Sequence, residues 1–158
     1  PLPEAQLDRF MVRASIGYPD RDEESALLDR FRAGENPDAI IPSTTVGDVV
    51  KARNTVDQVV VNDIVREYLL DIVAATRRSA SLRLGASPRA SLALQHAAQG
   101  RAAMHGRSYV LPDDVKNLAV PVLAHRLLAE STTELRGMAT AQIIAEIVES
   151  TPVPIERE

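Results

Sequence analysis

A serine, a proline and an arginine in succession, Ser87-Pro88-Arg89, carry the strongest chemical signal in this chain. Ser87 suits the N-cap of a helix, Pro88 fits its first position, and Gly85 just before them permits a tight turn. The first N–H groups of a helix lack internal partners and the macrodipole is positive there, so such a start attracts anions. Arg89, at the second helical position, adds a planar fork that can meet a phosphate bidentately. The same spacing also serves a purely structural purpose, a well-capped helix with an exposed arginine. Arg83, in the connection leading to that helix, is a secondary candidate for the same anion.

The surroundings favour a small anion. Residues 72–112 contain six arginines (Arg77, Arg78, Arg83, Arg89, Arg101 and Arg107) and no Asp or Glu, in a chain of formal charge −4. A nucleic-acid surface needs broad positive charge, and this chain has one local patch, so neither a duplex nor a membrane is expected as partner. Arg77 and Arg78 read as charges at a helix C-terminus, and Arg101 and Arg107 as residues of a solvated face. A second candidate is Arg9, in Leu7-Asp8-Arg9-Phe10. It could project toward a nucleotide held by a neighbouring subunit, where positive charge stabilises phosphoryl transfer, or serve as an ordinary salt-bridging arginine.

Other chemistries lack their residues. His96 and His105 are about 900° apart around a helix, on opposite faces, and His125 has no partner at ligand spacing, so no metal site is expected. There is no Gly-x-x-x-x-Gly-Lys-Ser/Thr loop and no apolar run ending in Asp-Glu to hold Mg²⁺. This segment alone is therefore not expected to hydrolyse a nucleotide or to bind one tightly. The chain has no cysteine, which excludes disulfides, and no apolar run of about 18 residues. A soluble, cytoplasmic protein is expected.

Helices must position these residues. The chain of 158 residues is 45% hydrophobic but only 3% aromatic, a composition that suits a core of Leu, Ile, Val and Ala between close-packed helices. Residues 4–9 suggest a short helical turn. Residues 10–16 alternate like a strand, which would need a partner elsewhere. The opening Pro1-Leu2-Pro3-Glu4, without an initiator Met, reads as a cut inside a longer protein.

Everything after Pro19 reads as helix. Asp20 with Glu23, and Thr45 with Asp48, suggest capped starts; residues 35–42, with two prolines, make a loop. After Asn62, Ile64, Val65, Tyr68, Leu69, Ile72 and Val73 form one apolar stripe. The helix from Ser87 should end at Gly106, with Ala90, Ala93, Leu94, Ala97, Gly100 and Met104 on one face. Pro112-Asp113-Asp114 starts another helix, which Pro121 should break near Ala119. The last helix spans about 140–150.

Several stretches in order then resemble one family. Pro1 to Phe10 (PLPEAQLDRF), Gly17 to Arg21 (GYPDR), Gly85 to Ala90 (GASPRA), Gly106 to Val115 (GRSYVLPDDV) and His125-Arg126-Leu127 are similar to MoxR-type AAA+ ATPases. The resemblance implies a mainly α fold, the helical lid domain over residues 20–151. A strand and arginine-finger segment left from the α/β core would precede it over 1–19, and a tail would follow over 152–158. It implies that Arg9 is the arginine finger acting in trans and that Arg89 is sensor 2, with Ser87 and Arg83 beside the phosphates. ATP and Mg²⁺ would serve the full-length protein, whose phosphate loop, Mg²⁺-binding acids and sensor 1 are expected upstream of Pro1. Neighbouring subunits of a ring, a hexamer, are the implied partners, together with a von Willebrand factor A-domain protein. The implied activity is ATP-driven, chaperone-like remodelling, metal insertion or complex assembly. The alternative is a free-standing helical module that binds protein or nucleic acid through an arginine patch at 77–107.

Overall fold

The computed structural model describes residues 3–35, 41–131 and 139–153. The elements in order are α1 (Glu4–Leu7), α2 (Arg21–Arg32), α3 (Val46–Asp57), α4 (Asp63–Arg78), β1 (Leu82–Leu84), α5 (Pro88–Met104), α6 (Pro112–Leu123), a 3-10 turn (Ala124–Arg126), β2 (Leu128–Ala129) and α7 (Thr140–Ser150). The mainly helical fold expected from composition is the one observed.

Local chemistry explains most helix starts. The Asp20 carboxylate accepts from the Asp22 and Glu23 N–H groups, and Glu23 accepts from the Asp20 N–H in return. Thr45 and Asp48 form the same reciprocal pair at α3. Asn62 caps α4 by accepting from Val65 N–H at 2.8 Å. Each such cap contributes about 1 kcal/mol by satisfying donors that the helix itself leaves open.

The chain divides into two compact units, residues 14–52 on one side and residues 1–13 with 53–158 on the other. The first contains α2 and the beginning of α3. Leu27, Leu28 and Phe31 on α2 are exposed, as are Val46, Val49 and Val50 on α3. Of the loop expected at 35–42, residues 36–40 lie outside the described residues.

The second unit is a helical bundle. Helix α5 packs chiefly on α6, α6 on α7, and α4 touches all three. Val65, Tyr68, Leu69, Ile72 and Val73 of the α4 stripe are buried, whereas Ile64 at its start is partly exposed. Burying an aliphatic side chain of this size contributes about 1.5–3 kcal/mol, so Ile72, Leu94, Leu123 and Ile144, all fully buried, dominate the core. On α5 the buried residues are Ala90, Ala93, Leu94, Ala98, Gln99 and Ala102. The face expected to run through Gly100 and Met104 is thus rotated, and Met104 is exposed. The reason is tertiary: buried Gln99 turns inward to donate to the Val59 carbonyl at 2.8 Å.

Two other expectations are corrected. Residues 10–16 form no strand, because alternation needs a partner and none pairs with them among the described residues. The Arg13 N–H donates instead to the Pro121 carbonyl at 2.9 Å. Pro121 does not break α6 near Ala119, since the helix continues to Leu123. Pro121 cannot donate to the Asn117 carbonyl one turn earlier, a loss the helix tolerates, while its own carbonyl, near the helix end, accepts from the Arg13 N–H.

Among the described residues, a small sheet joins β1 and β2 antiparallel, Leu82 opposite Ala129 and Leu84 opposite Leu128. β1 leads into Gly85-Ala86-Ser87, and β2 follows Arg126-Leu127. The sheet therefore brings the start of α5 beside the 3-10 turn, two places far apart in sequence.

Candidate functional site

Ser87 is the N-cap of α5, with Pro88 in the first turn, and its Oγ accepts from the Ala90 N–H at 3.2 Å. What holds this start in place is the end of α4. Thr76 Oγ1 accepts from the Ala86 N–H at 3.0 Å and donates to the Val73 carbonyl at 2.7 Å. Arg77 Nε donates to the Ala86 carbonyl at 2.8 Å. Arg77 is therefore tied to the loop rather than being only a solvated helix-end charge.

Gly85 has a different purpose from the one its turn suggested. Its φ is not in the left-handed region. A Cβ at Gly85 would stand 2.7 Å from Arg77 Cα and 2.9 Å from the Thr76 carbonyl oxygen. Glycine is needed for close main-chain approach.

The start of α5 also meets the first residues of the chain. Ser87 Oγ donates to the Asp8 carboxylate at 3.0 and 3.2 Å. Arg126 Nη1 lies 3.4 Å from Asp8 Oδ1, and Nη2 donates to the Phe10 carbonyl. The His125 Nε2–H donates to that same carbonyl at 2.9 Å. The tautomer follows from a carbonyl being able only to accept.

The Arg126 side chain is 1% exposed and that of Asp8 is 26% exposed. Burial lowers the Arg126 pKa from its usual value; the Asp8 charge opposes this, and the nearby Arg89 charge adds to the lowering. Arg126 Nε and His125 Nδ1 are buried without a partner among the described residues.

The residues singled out from sequence fall into two groups. Arg9, next to Asp8, and Arg89, in the first turn of α5, are both exposed, and the Ser87–Asp8 bond joins their backbones. Arg83 is also exposed but sits on β1 rather than in a loop. Arg101 and Arg107 belong elsewhere. Arg107 grips the Asp114 carboxylate with two bonds of 2.7 Å, and Arg101 Nε lies 3.4 Å from it. These two are structural and not a solvated face. With Arg77 also engaged, the arginines from 77 to 107 do not form one free contact patch.

Sequence reasoning missed Asp8 as the central acceptor, the burial of Arg126 and the part played by Thr76. Asp8 and Ser87 are 79 residues apart, so no local spacing announces their bond. The His-Arg pair was visible as part of a resemblance but had no chemistry attached. Two concavities lie beside Val59 and Arg107 and beside Asn62 and Tyr109, and neither includes Arg9, Ser87 or Arg89. An open surface with two exposed arginines can bind an anion, but does not enclose one.

The chain is similar to known proteins along nearly its whole length. A family model described as AAA lid domain matches residues 74–147. The uncharacterised protein YeaC of Bacillus subtilis is 38% identical over 99% of this chain and 49% of its own length. Chaperone MoxR1 of Mycobacterium tuberculosis is 31% identical over 98% of this chain and 43% of its own length. Protein MoxR of Paracoccus denitrificans is 29% identical over 97% and 51% respectively. Among solved structures, a Cytophaga hutchinsonii protein assigned as an ATPase superposes with a TM-score of 0.86 at 30% identity, covering 98% of this chain and 50% of that one. The chain thus spans about half the length of the relatives it matches. In sequence the chain is similar to MoxR proteins and in fold to that ATPase, and its residues 74–147 match the AAA lid domain.

Proposed function

We propose that this chain is the C-terminal part of an ATP hydrolase, with the end of the ATPase core over residues 1–19, the lid over 20–151 and a tail over 152–158. Arg89 is its sensor 2 and contacts the phosphates of ATP in the same subunit, with Ser87 and Arg83 beside it. Arg9 is its arginine finger and acts on ATP bound by the next subunit of a ring, a hexamer.

The observation that carries this reading is the exposed Arg89 in the first turn of a Ser87-capped helix. A guanidinium fork and the positive end of a helix at one place fit phosphate oxygens. ATP supplies the phosphoryl group and Mg²⁺ neutralises part of its charge. This chain contributes positive charge from the lid side, and the clamp by Thr76 and Arg77 keeps the Ser87 start from wandering. Loss of the terminal phosphate removes the charge that draws Arg89 inward, so nucleotide state sets lid position. That motion would drive chaperone-like remodelling, metal insertion or complex assembly, with a von Willebrand factor A-domain protein as partner. No helix among the described residues is long and apolar enough to cross a membrane, which is consistent with work in the cytoplasm.

The test uses the full-length protein. Arg89→Ala is expected to keep the fold and cut ATP turnover at least about tenfold; unchanged steady-state hydrolysis would sink the sensor role. Arg9→Ala is expected to lower turnover by roughly 10³-fold and, mixed with wild type, to impair neighbouring sites. A fall merely proportional to the mutant fraction would remove the finger from between subunits.

A further inference from the structure

Arg9 is exposed, yet the residues on both sides of it are held. Before it, the Asp8 carboxylate accepts from Ser87 Oγ and faces Arg126 Nη1 at 3.4 Å. After it, the Phe10 carbonyl accepts from Arg126 Nη2 and from His125 Nε2. A single guanidinium thus spans Arg9, touching one neighbour through each Nη. The Arg126 side chain is 1% exposed, and burying a guanidinium is costly unless all its donors are met. Here Nε is left unpartnered and Arg89 repels the charge. A buried guanidinium with a donor unmet is weak evidence for a purely stabilising role.

We infer that Arg126, assisted by His125, is a positioning residue for Arg9. It holds the Asp8 side chain before Arg9 and the Phe10 main chain after it, so that the exposed guanidinium projects in one direction. Through Asp8 and Ser87 it also ties that direction to the start of the helix carrying Arg89. The two exposed arginines of one subunit are therefore mounted on one base, and movement of the α5 start carries Arg9 with it. This inference rests on the trans-acting reading of Arg9.

Lysine does not reproduce the fork. Its three donors sit on one nitrogen at the end of a differently shaped stem, so the two contacts made from separate Nη atoms of a planar fork are not reproduced. In the assembled full-length protein, Arg126→Lys is expected to lower kcat for ATP by roughly 10–100-fold, the cost of a misplaced group, with KM changed by less than about twofold. Mixed with wild type, it should depress neighbouring sites more than in proportion, as Arg9→Ala does. Asp8→Asn perturbs the same base from its partly exposed side and tests the idea if Arg126→Lys fails to fold. It should give a smaller fall with the same disproportionate mixing curve.

If Arg9→Ala poisons its neighbours while folded Arg126→Lys gives a proportional curve, the positioning inference is overturned. With Arg126→Lys unfolded, a proportional curve or wild-type turnover for Asp8→Asn overturns it equally. If Arg9→Ala itself fails to poison, the finger reading falls and takes this inference with it.

Discussion

Two arginine–aspartate pairs stand at different places in the bundle and are built to opposite standards. At the start of α6, Asp114 receives two bonds from Arg107 at 2.7 Å and one from the Leu111 N–H at 2.9 Å, with Arg101 at 3.4 Å behind. At the start of α5, Arg126 is buried and meets Asp8 at only 3.4 Å, leaving one nitrogen without a partner. The first pair buries the acid, surrounds it with donors and leaves the arginines toward solvent. The second buries the base and leaves the acid partly exposed. A carboxylate can be completed by a fork and a backbone N–H, whereas a guanidinium has five donors to satisfy. The complete pair serves stability, and the incomplete one sits where two exposed arginines must be held.

The sharpest way to break this contrast is Asp114→Asn. It leaves Arg107 without its charge partner and should cost about 3 kcal/mol in urea unfolding, the low end for a broken buried pair because Arg107 itself is partly exposed. A loss below about 1 kcal/mol would place the Asp114 pair in the class of surface bridges. The same group gives a pH signature. Burial raises the Asp114 pKa, but the bonds from Arg107 and Leu111 and the charges of Arg107 and Arg101 outweigh that and hold it below the usual range. A carboxylate depressed in the folded state contributes its stability above the unfolded pKa of about 3.9 and loses it as pH falls through the folded value. Wild type should therefore lose stability below about pH 4, and Asp114→Asn should lose less of it.

Gly85→Ala is the intermediate case. The added Cβ meets main-chain atoms that cannot rotate away, so a loss of about 1–3 kcal/mol is expected. Asp8→Asn should be the mildest, below about 1 kcal/mol, since the acid is partly exposed and its ion pair long. Gly85→Ala exceeding Asp8→Asn in the same denaturation series would show that the α5 start is held by main-chain contact more than by charge. The reverse order would overturn the division of labour between the two pairs.

Features governed by neighbours within three or four residues were legible in the sequence. The starts at Asp20, Thr45, Asn62 and Ser87 follow from side chains that bond the backbone a few positions on, and Gly106 ends α5 with φ +69 as a left-handed stop. Whatever depends on a distant partner was not. Arg101 and Arg107 looked solvated because their acid lies beyond the acid-free stretch, across the turn into α6. The alternation at 10–16 mimicked a strand, yet alternation cannot report whether a partner strand is present. Pro121 looked like a break because proline lacks an N–H and crowds the preceding turn, and sequence did not show that α6, packed between α5 and α7, runs past it. Arg9 and Arg89 could be named, but not their common base, which depends on a bond across 79 residues.

The approach of Gly85 to the last turn of α4 has a mechanical consequence. Where two main chains touch with no side chain between them, there is nothing soft to compress. Thr76 and Arg77 close the seam from either side by bonding both the N–H and the carbonyl of Ala86. The segment from Arg77 to Ala90 therefore behaves as a weld and not as a hinge. Any swing of this bundle carries the end of α4 and the beginning of α5 as one piece, and its bending must be taken up at other joints.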